Sequence, residues 1–371
     1  MKEINIAKKL IEKRKEKGIT QDELASYIGV SKASVSKWET GHSYPDITFL
    51  PQLAAYFNIS IDELIGYLPQ MEKEDIKNLY YKLTAEFSTK PFGEVMDECH
   101  EIIKKYYSCF PLLLQMAGLL TNHYMLAKEK EEQEATLQEV IHLCERIKAE
   151  AEEMQLINQA NSIEAICWLI LGNADKVMEL LDGIMKPSSS NETLLASAYQ
   201  MTGNMEKAKE VLQAGIYLRL VELMGMLPSY LLLCQGDSQR FESTLNRAVS
   251  MAGIFDLDRL HAGVMLQIYL AAAQGYAMQS NPERALDLIE KYAAVCTSEA
   301  FPFTLHGDNF FDSIDPWFAD FDLGNQAPRS DKVIKESMLQ GLIENPFFTT
   351  FADQPRFQRI LASMKSRLEE R

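Results

Sequence analysis

Two short helical patterns joined by a glycine occupy residues 20–41 of the sequence (TQDELASYIGVSKASVSKWETG). Thr20 and Glu23 have the spacing of a capping box, in which the hydroxyl accepts from an amide one turn on and the carboxylate reaches back. Ser31 can cap the second helix through its hydroxyl, and Gly29 supplies the backbone freedom that a tight turn between helices needs. The stretch therefore predicts two short helices with a defined crossing.

The apolar residues of this stretch are spaced to lie on the facing sides of the two helices; they are Leu24, Ile28, Val30, Val35 and Trp38. Ala25 is small, which lets the second helix approach closely. The positions left on the outside are small, polar or basic, namely Gln21, Lys32, Ala33, Ser34, Ser36 and Lys37. We expect this surface to enter the major groove of DNA.

The pattern Q-x-x-x-A-x-x-x-G-V-S-x-x-x-V-S-x-W-E-x-G resembles the XRE/Cro-type helix-turn-helix family of bacterial and phage repressors, over roughly residues 4–66. The resemblance implies a five-helix, lambda-repressor-like domain whose partner is double-stranded DNA. The DNA contacts that it implies are Gln21, Ser31, Lys32, Ala33, Ser34, Ser36, Lys37 and His42.

The resemblance also gives several of these residues a role. Gln21 begins the positioning helix and would bind phosphate. The residues expected to face base edges are Lys32, Ala33 and Lys37, and those expected near the DNA backbone are Ser31 and Ser34. The family often pairs an arginine of the first helix with a glutamate after the recognition helix, and here these positions are Arg14 and Glu39.

This interpretation has two alternatives, one for the whole motif and one for single residues. The whole motif could be a small helical domain with a solvated face, although the capping pattern and the two further helices argue against that. For single residues the alternative is stronger, because Lys32 or Lys37 could touch only phosphate, and such a contact positions the protein without reading the sequence.

The charge distribution bears on DNA binding, because the chain has a formal net charge of −16. Residues 1–66 carry nine basic and nine acidic side chains, and residues 1–40 carry nine basic and six acidic ones. The entire negative charge therefore belongs to residues 67–371, which phosphate would repel. Net charge argues against a nucleic-acid role for the C-terminal part only.

The rest of the N-terminal domain follows from caps and glycines. We expect the first helix over about 4–17, a fourth over about 47–57 capped by Asp46, and a fifth that begins after Ser60 and ends at Gly66. Residues 67–75 are interpreted as a linker. Further helical patterns cover about 73–88, 92–106, 110–127 and 134–150.

From there the chain repeats itself, with spacings of 31, 33 and 44 residues between equivalent small residues. These are Gly172, Gly203, Gly236 and Ser280, each followed by Asn or Asp and then by a basic residue at the fourth position. A large residue precedes each by four (Trp168, Tyr199, Leu232, Tyr276) and a small one by seven (Ala165, Ala196, Ser229, Ala273). This resembles the tetratricopeptide (TPR) repeat and implies a TPR-like α-solenoid over residues 76–300; an irregular helical bundle is the alternative.

The C-terminal residues 301–371 contain ten of the chain's 17 phenylalanines. Residues 301–328 have no helical period, and a segment this aromatic must pack against something. We interpret it as a cap over the last unit of the solenoid, with an effector pocket as the alternative. Final helices are expected over about 331–344 and 354–369, and residues 186–191 are expected to be a loop.

Other sequence features indicate the cellular compartment and bear on disulfides and membrane insertion. The six scattered cysteines are interpreted as small buried apolar residues in a reducing cytosol, and the N-terminus has no apolar stretch typical of a signal peptide. Residues 260–282 lack charged side chains but are interrupted by His261 and Gln267, which favours a buried helix over a membrane span. We therefore expect a cytoplasmic protein with no membrane partner.

Catalytic motifs are missing from the sequence. His100 and Glu101 begin a zinc-type pattern in which Lys104 replaces the second histidine. We find no phosphate-binding glycine loop and no nucleophile elbow, so we expect no enzymatic activity, no cofactor and no metal site.

Together these features predict an all-α, sequence-specific DNA-binding transcriptional regulator, active as a homodimer, with a TPR-like domain for dimerisation or for sensing a peptide or small-molecule effector. Asn158 and Asn161 are residues that could clamp a peptide backbone, although the sequence does not place them in a groove. The alternative is a TPR-like interaction scaffold whose helix-turn-helix head does not regulate transcription.

Overall fold

The computed structural model describes residues 5–67, 70–181 and 191–369. They form two compact units, one drawn from Met1–Ile76, Met96–Ala117 and His142–Asn161 and the other from Lys77–Val95, Gly118–Ile141 and Ser162–Arg371. Within these described ranges the secondary structure is helical, apart from an isolated antiparallel bridge between Thr304 and Gln326. The all-α prediction is confirmed, whereas the domain boundaries at 66, 75 and 300 stay a prediction.

The N-terminal helices are α1 (Ile6–Glu16), α2 (Gln21–Ile28), α3 (Lys32–Glu39), α4 (Leu50–Phe57) and α5 (Ile61–Ile65). A 3₁₀ turn at Ile47–Phe49, capped by Asp46, leads into α4. One cluster of fully buried leucines and valine fills the space between the helices, namely Leu10, Leu24, Val35, Leu53 and Leu64. The predicted five-helix domain is confirmed.

The next helices are α6 (Lys73–Phe87), α7 (Phe92–Lys105), α8 (Phe110–His123), α9 (Lys130–Glu150), α10 (Met154–Ile170) and α11 (Ala174–Leu181). The first four match the predicted patterns to within a few residues. The end of the predicted linker is already helical, because α6 begins at Lys73. The loop predicted at 186–191 lies outside the described residues except for Asn191.

The repeat region continues with α12 (Asn191–Met201), α13 (Met205–Leu233), α14 (Ser238–Ile254), a short α15 (Leu257–Leu260), α16 (Ala262–Met278) and α17 (Pro282–Cys296). Every predicted cap is present: the side chains of Asn173, Asn204, Asp237 and Asn281 accept from the amides of Lys176, Lys207, Arg240 and Arg284. Helix α16 packs against both α13 and α17, and its apolar length is buried as predicted. The TPR-like interpretation is confirmed.

Helix α13 differs from the repeat pattern because it runs for 29 residues without a break. The 33-residue spacing predicts two antiparallel helices there, but Gly215, Gly225 and Pro228 all lie inside the helix without ending it. It is also the one helix of the described residues that is long and apolar enough to cross a membrane by length and composition. Its Tyr217 and Leu220 are nevertheless buried against protein.

The C-terminal part contains α18 (Asp315–Ala319), α19 (Asp331–Ile343), a 3₁₀ turn (Pro346–Phe351) and α20 (Pro355–Glu369). Phe311, Ile314 and Phe318 of the aromatic stretch belong to the same apolar core as α13 and α16. All six cysteines are buried and none forms a disulfide with another described residue, which agrees with their interpretation as small apolar residues.

The contact between α14 and α16 gives a testable prediction. A Cβ added at Gly275 would lie 2.3 Å from the ring of Phe241, which is fully buried. We expect Gly275→Ala to lower the free energy of unfolding by about 1–3 kcal/mol, because the packed ring cannot move aside. Gly225→Ala in α13, where a Cβ meets nothing within 4 Å, should instead raise it by about 0.5–1 kcal/mol. Urea denaturation of both variants tests the contrast, and equal stabilities would contradict it.

Candidate nucleic-acid interface

Helix α2 is fixed by its N-terminal cap. The amide of Glu23 donates to the Thr20 hydroxyl at 3.2 Å, and the Thr20 amide donates to the Glu23 carboxylate at 2.7 Å, which completes the predicted capping box. The bond to the Thr20 backbone amide lowers the pKa of Glu23. At the other end Gly29 adopts φ 82°, a left-handed conformation that glycine reaches without strain.

Helix α3 is held by a second cap and by burial of one face. The amide of Ser34 donates to the Ser31 hydroxyl at 3.1 Å, and the two hydroxyls lie 2.9 Å apart. Val35 and Trp38 are buried against α1 and α2. The predicted cap and the predicted apolar face are both confirmed. Because one face of α3 is buried, the opposite face of the helix is the one that points outward.

An ion pair ties α1 to the end of α3. Nε of Arg14 donates to Oε1 of Glu39 at 2.5 Å and Nη2 donates to Oε2 at 2.9 Å, while Nη1 donates to the carbonyl of Ile19 at 2.9 Å. The pairing expected from the resemblance is therefore present. The carboxylate is almost enclosed, with 4% of its side chain exposed.

Glu39 also receives a third bond, from Nε2 of Gln21 at 2.8 Å. Burial alone raises the pKa of Glu39, but the hydrogen bonds from Arg14 and Gln21 and the nearby positive charge outweigh it, so the pKa lies below its ordinary value. Sequence reasoning gave Gln21 only a phosphate contact and missed this second role. Side-chain hydrogen bonds among Arg14, Gln21 and Glu39 therefore connect α1, α2 and α3.

The outer face of α3 presents the predicted basic and small residues. Lys32, Ala33 and Lys37 are exposed, and Ser34 and Ser36 are partly exposed. Neither lysine forms an ion pair with any residue that the structure describes. These two positive charges are therefore available to an anionic partner.

The loop that follows α3 contributes His42, which is exposed and whose Nδ1 lies 2.8 Å from the Thr40 hydroxyl. The hydroxyl of Thr40 in turn donates to the carbonyl of Ser36, so the loop is held against the helix end. Tyr44 in the same loop and Ile47 at the start of the following 3₁₀ turn are also exposed, Ile47 by 76%. Nothing in the sequence pattern singled out these two apolar residues.

The chemistry of this face is that of an anion-binding surface. In the parts of the chain that the structure describes, no group of three or more His, Cys, Asp or Glu side chains could hold a metal ion. What the face offers is two free ammonium groups, hydroxyls and an imidazole on one rigid helix and its following loop.

Known proteins resemble this part of the chain. Residues 10–64 match the family described as Helix-turn-helix. The HTH-type transcriptional activator BcrR of Enterococcus faecalis is 40% identical over 58 residues, which are 16% of this chain and 28% of BcrR. The chain thus spans well under two thirds of that relative. The crystal structure of Bacillus thuringiensis PlcR with the peptide PapR7 and DNA covers 79% of this chain and 94% of PlcR, at 15% identity and a TM-score of 0.30.

The HTH-type transcriptional regulator SinR of Bacillus subtilis is 31% identical over 99 residues, which are 25% of this chain and 89% of SinR. Residues 10–64, which match the Helix-turn-helix family, include the capped helix pair, so the resemblance recognised in residues 20–41 is confirmed. The chain therefore belongs to the XRE-type family of helix-turn-helix transcriptional regulators.

Proposed function

We propose that this transcriptional regulator binds specific DNA sequences through the outer face of α3. The observation that carries the proposal is the pair of exposed lysines, Lys32 and Lys37, on a helix whose position is fixed by two caps and the Arg14–Glu39 ion pair. A rigid helix with free cations and small residues is suited to a major groove, where the cations bind phosphate or base acceptors.

We further propose that the protein acts as a homodimer. Helix α3 has eight residues, so it spans only about 12 Å and reads a few base pairs. A two-fold dimer would place two such helices in half-sites about 34 Å apart or a multiple of that distance. Exposed apolar residues where α12 meets α13 support a protein contact there, namely Met201, which is 88% exposed, and Met205, which is 59% exposed.

An effector is the third part of the proposal, and a cavity supports it. A cavity of about 740 Å³ lies between the α14–α15 corner and the aromatic stretch, lined among others by Phe255, Arg259, His306 and Phe310. This volume is typical of sites for small organic ligands or short peptides. Rings, a guanidinium and an imidazole together suit a ligand with both apolar and charged groups.

The test is capture of genomic DNA bound by the purified protein, followed by gel-shift titration of the recovered fragments. We expect enrichment of one sequence with two-fold symmetry, two chains per fragment, and a logarithm of affinity that falls linearly with the logarithm of salt concentration. A protein that prefers no fragment over random duplex would contradict the proposal. The remaining interpretation would then be an interaction scaffold.

A further inference from the structure

Helix α13 holds one part of the aromatic stretch as a binding site holds a peptide. We propose that α13 carries a peptide-binding site, that residues 308–318 of the chain itself (DNFFDSIDPWF) occupy it, and that an acidic, aromatic peptide competes with them. The proposal deepens the proposed function, because it names the class of effector that such a regulator would sense.

The central contact is a buried amide side chain. Nε2 of Gln213 donates to the carbonyl of Phe310 at 2.8 Å, and Oε1 of Gln213 accepts from the amide of Ser313 at 2.8 Å. Gln213 is buried within the protein. A buried amide that donates to the carbonyl of one residue and accepts from the amide three residues later recognises a turn of the peptide backbone irrespective of its side chains.

A carboxylate of the same segment is bound next to these two backbone contacts. Nζ of Lys209, one turn before Gln213, lies 2.7 Å from Oδ2 of Asp312, and Nε2 of Gln213 donates to Oδ1 of Asp312 at 2.8 Å. Hydrogen bonds from Lys209 and Gln213 lower the pKa of Asp312 to about 2. The site therefore selects a carboxylate two residues after the carbonyl group that Gln213 binds.

Aromatic packing supplies the apolar part. The ring of Tyr217, one turn after Gln213, meets Phe311 and Phe318 edge-on with centroids 5.6 and 5.1 Å away. Phe310 and Phe311 also contact Phe255 at the end of α14. Along α13, Lys209 thus binds a carboxylate, Gln213 binds backbone groups, and Tyr217 packs against aromatic rings.

Residues 308–318 do not form every hydrogen bond that the side chains of the site could make. The hydroxyl of Tyr217 is buried and has no hydrogen-bond partner among the described residues. A buried hydroxyl without a partner is unfavourable. A separate peptide that offered an acceptor to Tyr217 would gain a bond that residues 308–318 do not make.

The end of the stretch is tethered elsewhere in the same unit. The hydroxyl of Tyr81 in α6 donates to the carbonyl of Leu323 at 2.7 Å, and that of Tyr80 donates to the carbonyl of Pro328 at 3.1 Å. Residues 308–318 therefore stay close to α13 when displaced. A tethered competitor acts at a high effective concentration, which sets a threshold for any free peptide.

The experiment uses the full chain and a fluorescein-labelled synthetic peptide of residues 308–318, with binding followed by anisotropy. Asp312→Ala removes the side-chain contacts of Asp312 with Lys209 and Gln213, which weakens the hold on the internal segment and leaves the site intact. Asp312 is exposed, so the fold should tolerate the change. We expect the variant to bind the probe at least tenfold more tightly than the unchanged protein, since tenfold corresponds to 90% internal occupancy.

Two variants serve as controls. Glu299→Ala removes an equal charge from an exposed residue outside the segment and should leave probe affinity unchanged. Adding Gln213→Leu to Asp312→Ala should weaken probe binding at least tenfold. Equal affinity of Asp312→Ala and the unchanged protein, or tight binding despite Gln213→Leu, would overturn the inference.

Hydrogen exchange on the unchanged protein gives a second measurement that needs no variant. Saturating unlabelled peptide should speed exchange of the Ser313 amide by displacing the segment, and unaltered exchange would overturn the inference. Gel shifts on the same proteins separate the two proposals. If no protein binds DNA, the proposed function fails; if DNA binding is normal but the probe does not bind Asp312→Ala, only the internal-ligand inference fails.

Discussion

Replacing Lys32 and Lys37 together by alanine should abolish specific DNA binding while the domain stays folded. Both side chains are exposed and make no ion pair with any described residue, so their loss breaks no internal ion pair. Each base contact contributes about 1–3 kcal/mol of discrimination, and a dimer would lose four lysines. We therefore expect the affinity for the captured operator to fall at least about 100-fold in a gel shift at fixed salt.

The control is Lys128→Ala with Lys130→Ala, which removes the same charge from two other exposed lysines and should change affinity less than threefold. Salt dependence tells phosphate contacts from base contacts, because each lost phosphate contact makes the slope of log affinity against log salt shallower by about one. An unchanged operator affinity in the Lys32/Lys37 variant would contradict the assignment of α3 as the recognition helix.

The features that the sequence predicted are local. The Thr20–Glu23 capping box and the Ser31 cap depend on residues three positions apart, and both are present in the structure. The caps of the repeat region are equally local, which is why each one occurs where an Asn or Asp follows a small residue. Short-range hydrogen bonds of this kind need no knowledge of tertiary structure.

The features that the sequence did not predict depend on distant residues. Gln21 bonds to Glu39, 18 positions away, and Tyr80 bonds to Pro328, 248 positions away. The aromatic stretch was interpreted as a cap over the last repeat, but it contacts α13 in the middle of the solenoid and α6 near its start. Aromatic composition shows that a segment must be buried, and it does not show against which helix.

The break expected inside α13 failed for a related reason. The small and large residues around Ser229 and Leu232 match the repeat, but Gly215 and Gly225 before them do not adopt the left-handed conformation that ends a helix, so the helix continues. Periodicity predicts which faces are apolar, whereas a helix ends where a cap or a left-handed residue satisfies its terminal carbonyls.

Removing the guanidinium from the Arg14–Glu39 pair should have the largest effect on stability. Arg14→Met leaves the Glu39 carboxylate buried with only Gln21 as a partner, and breaking a buried pair on one side costs about 3–5 kcal/mol. We expect a loss of at least about 3 kcal/mol in urea denaturation of the N-terminal helices. DNA binding should weaken as well, because Glu39 ends the helix that carries Lys32 and Lys37.

The pH dependence of the same variant separates charge from packing. In the unchanged protein the pKa of Glu39 lies below its ordinary 4.5, so its stabilising contribution is complete above about pH 4.5 and is lost as the pH falls through the lower folded value. In Arg14→Met burial dominates and raises that pKa, so acid should relieve the variant's defect. Arg14→Met with Glu39→Met removes both charges and should recover most of the stability; a double variant as unstable as the single one would mean that the pair contributes through shape and not through its charges.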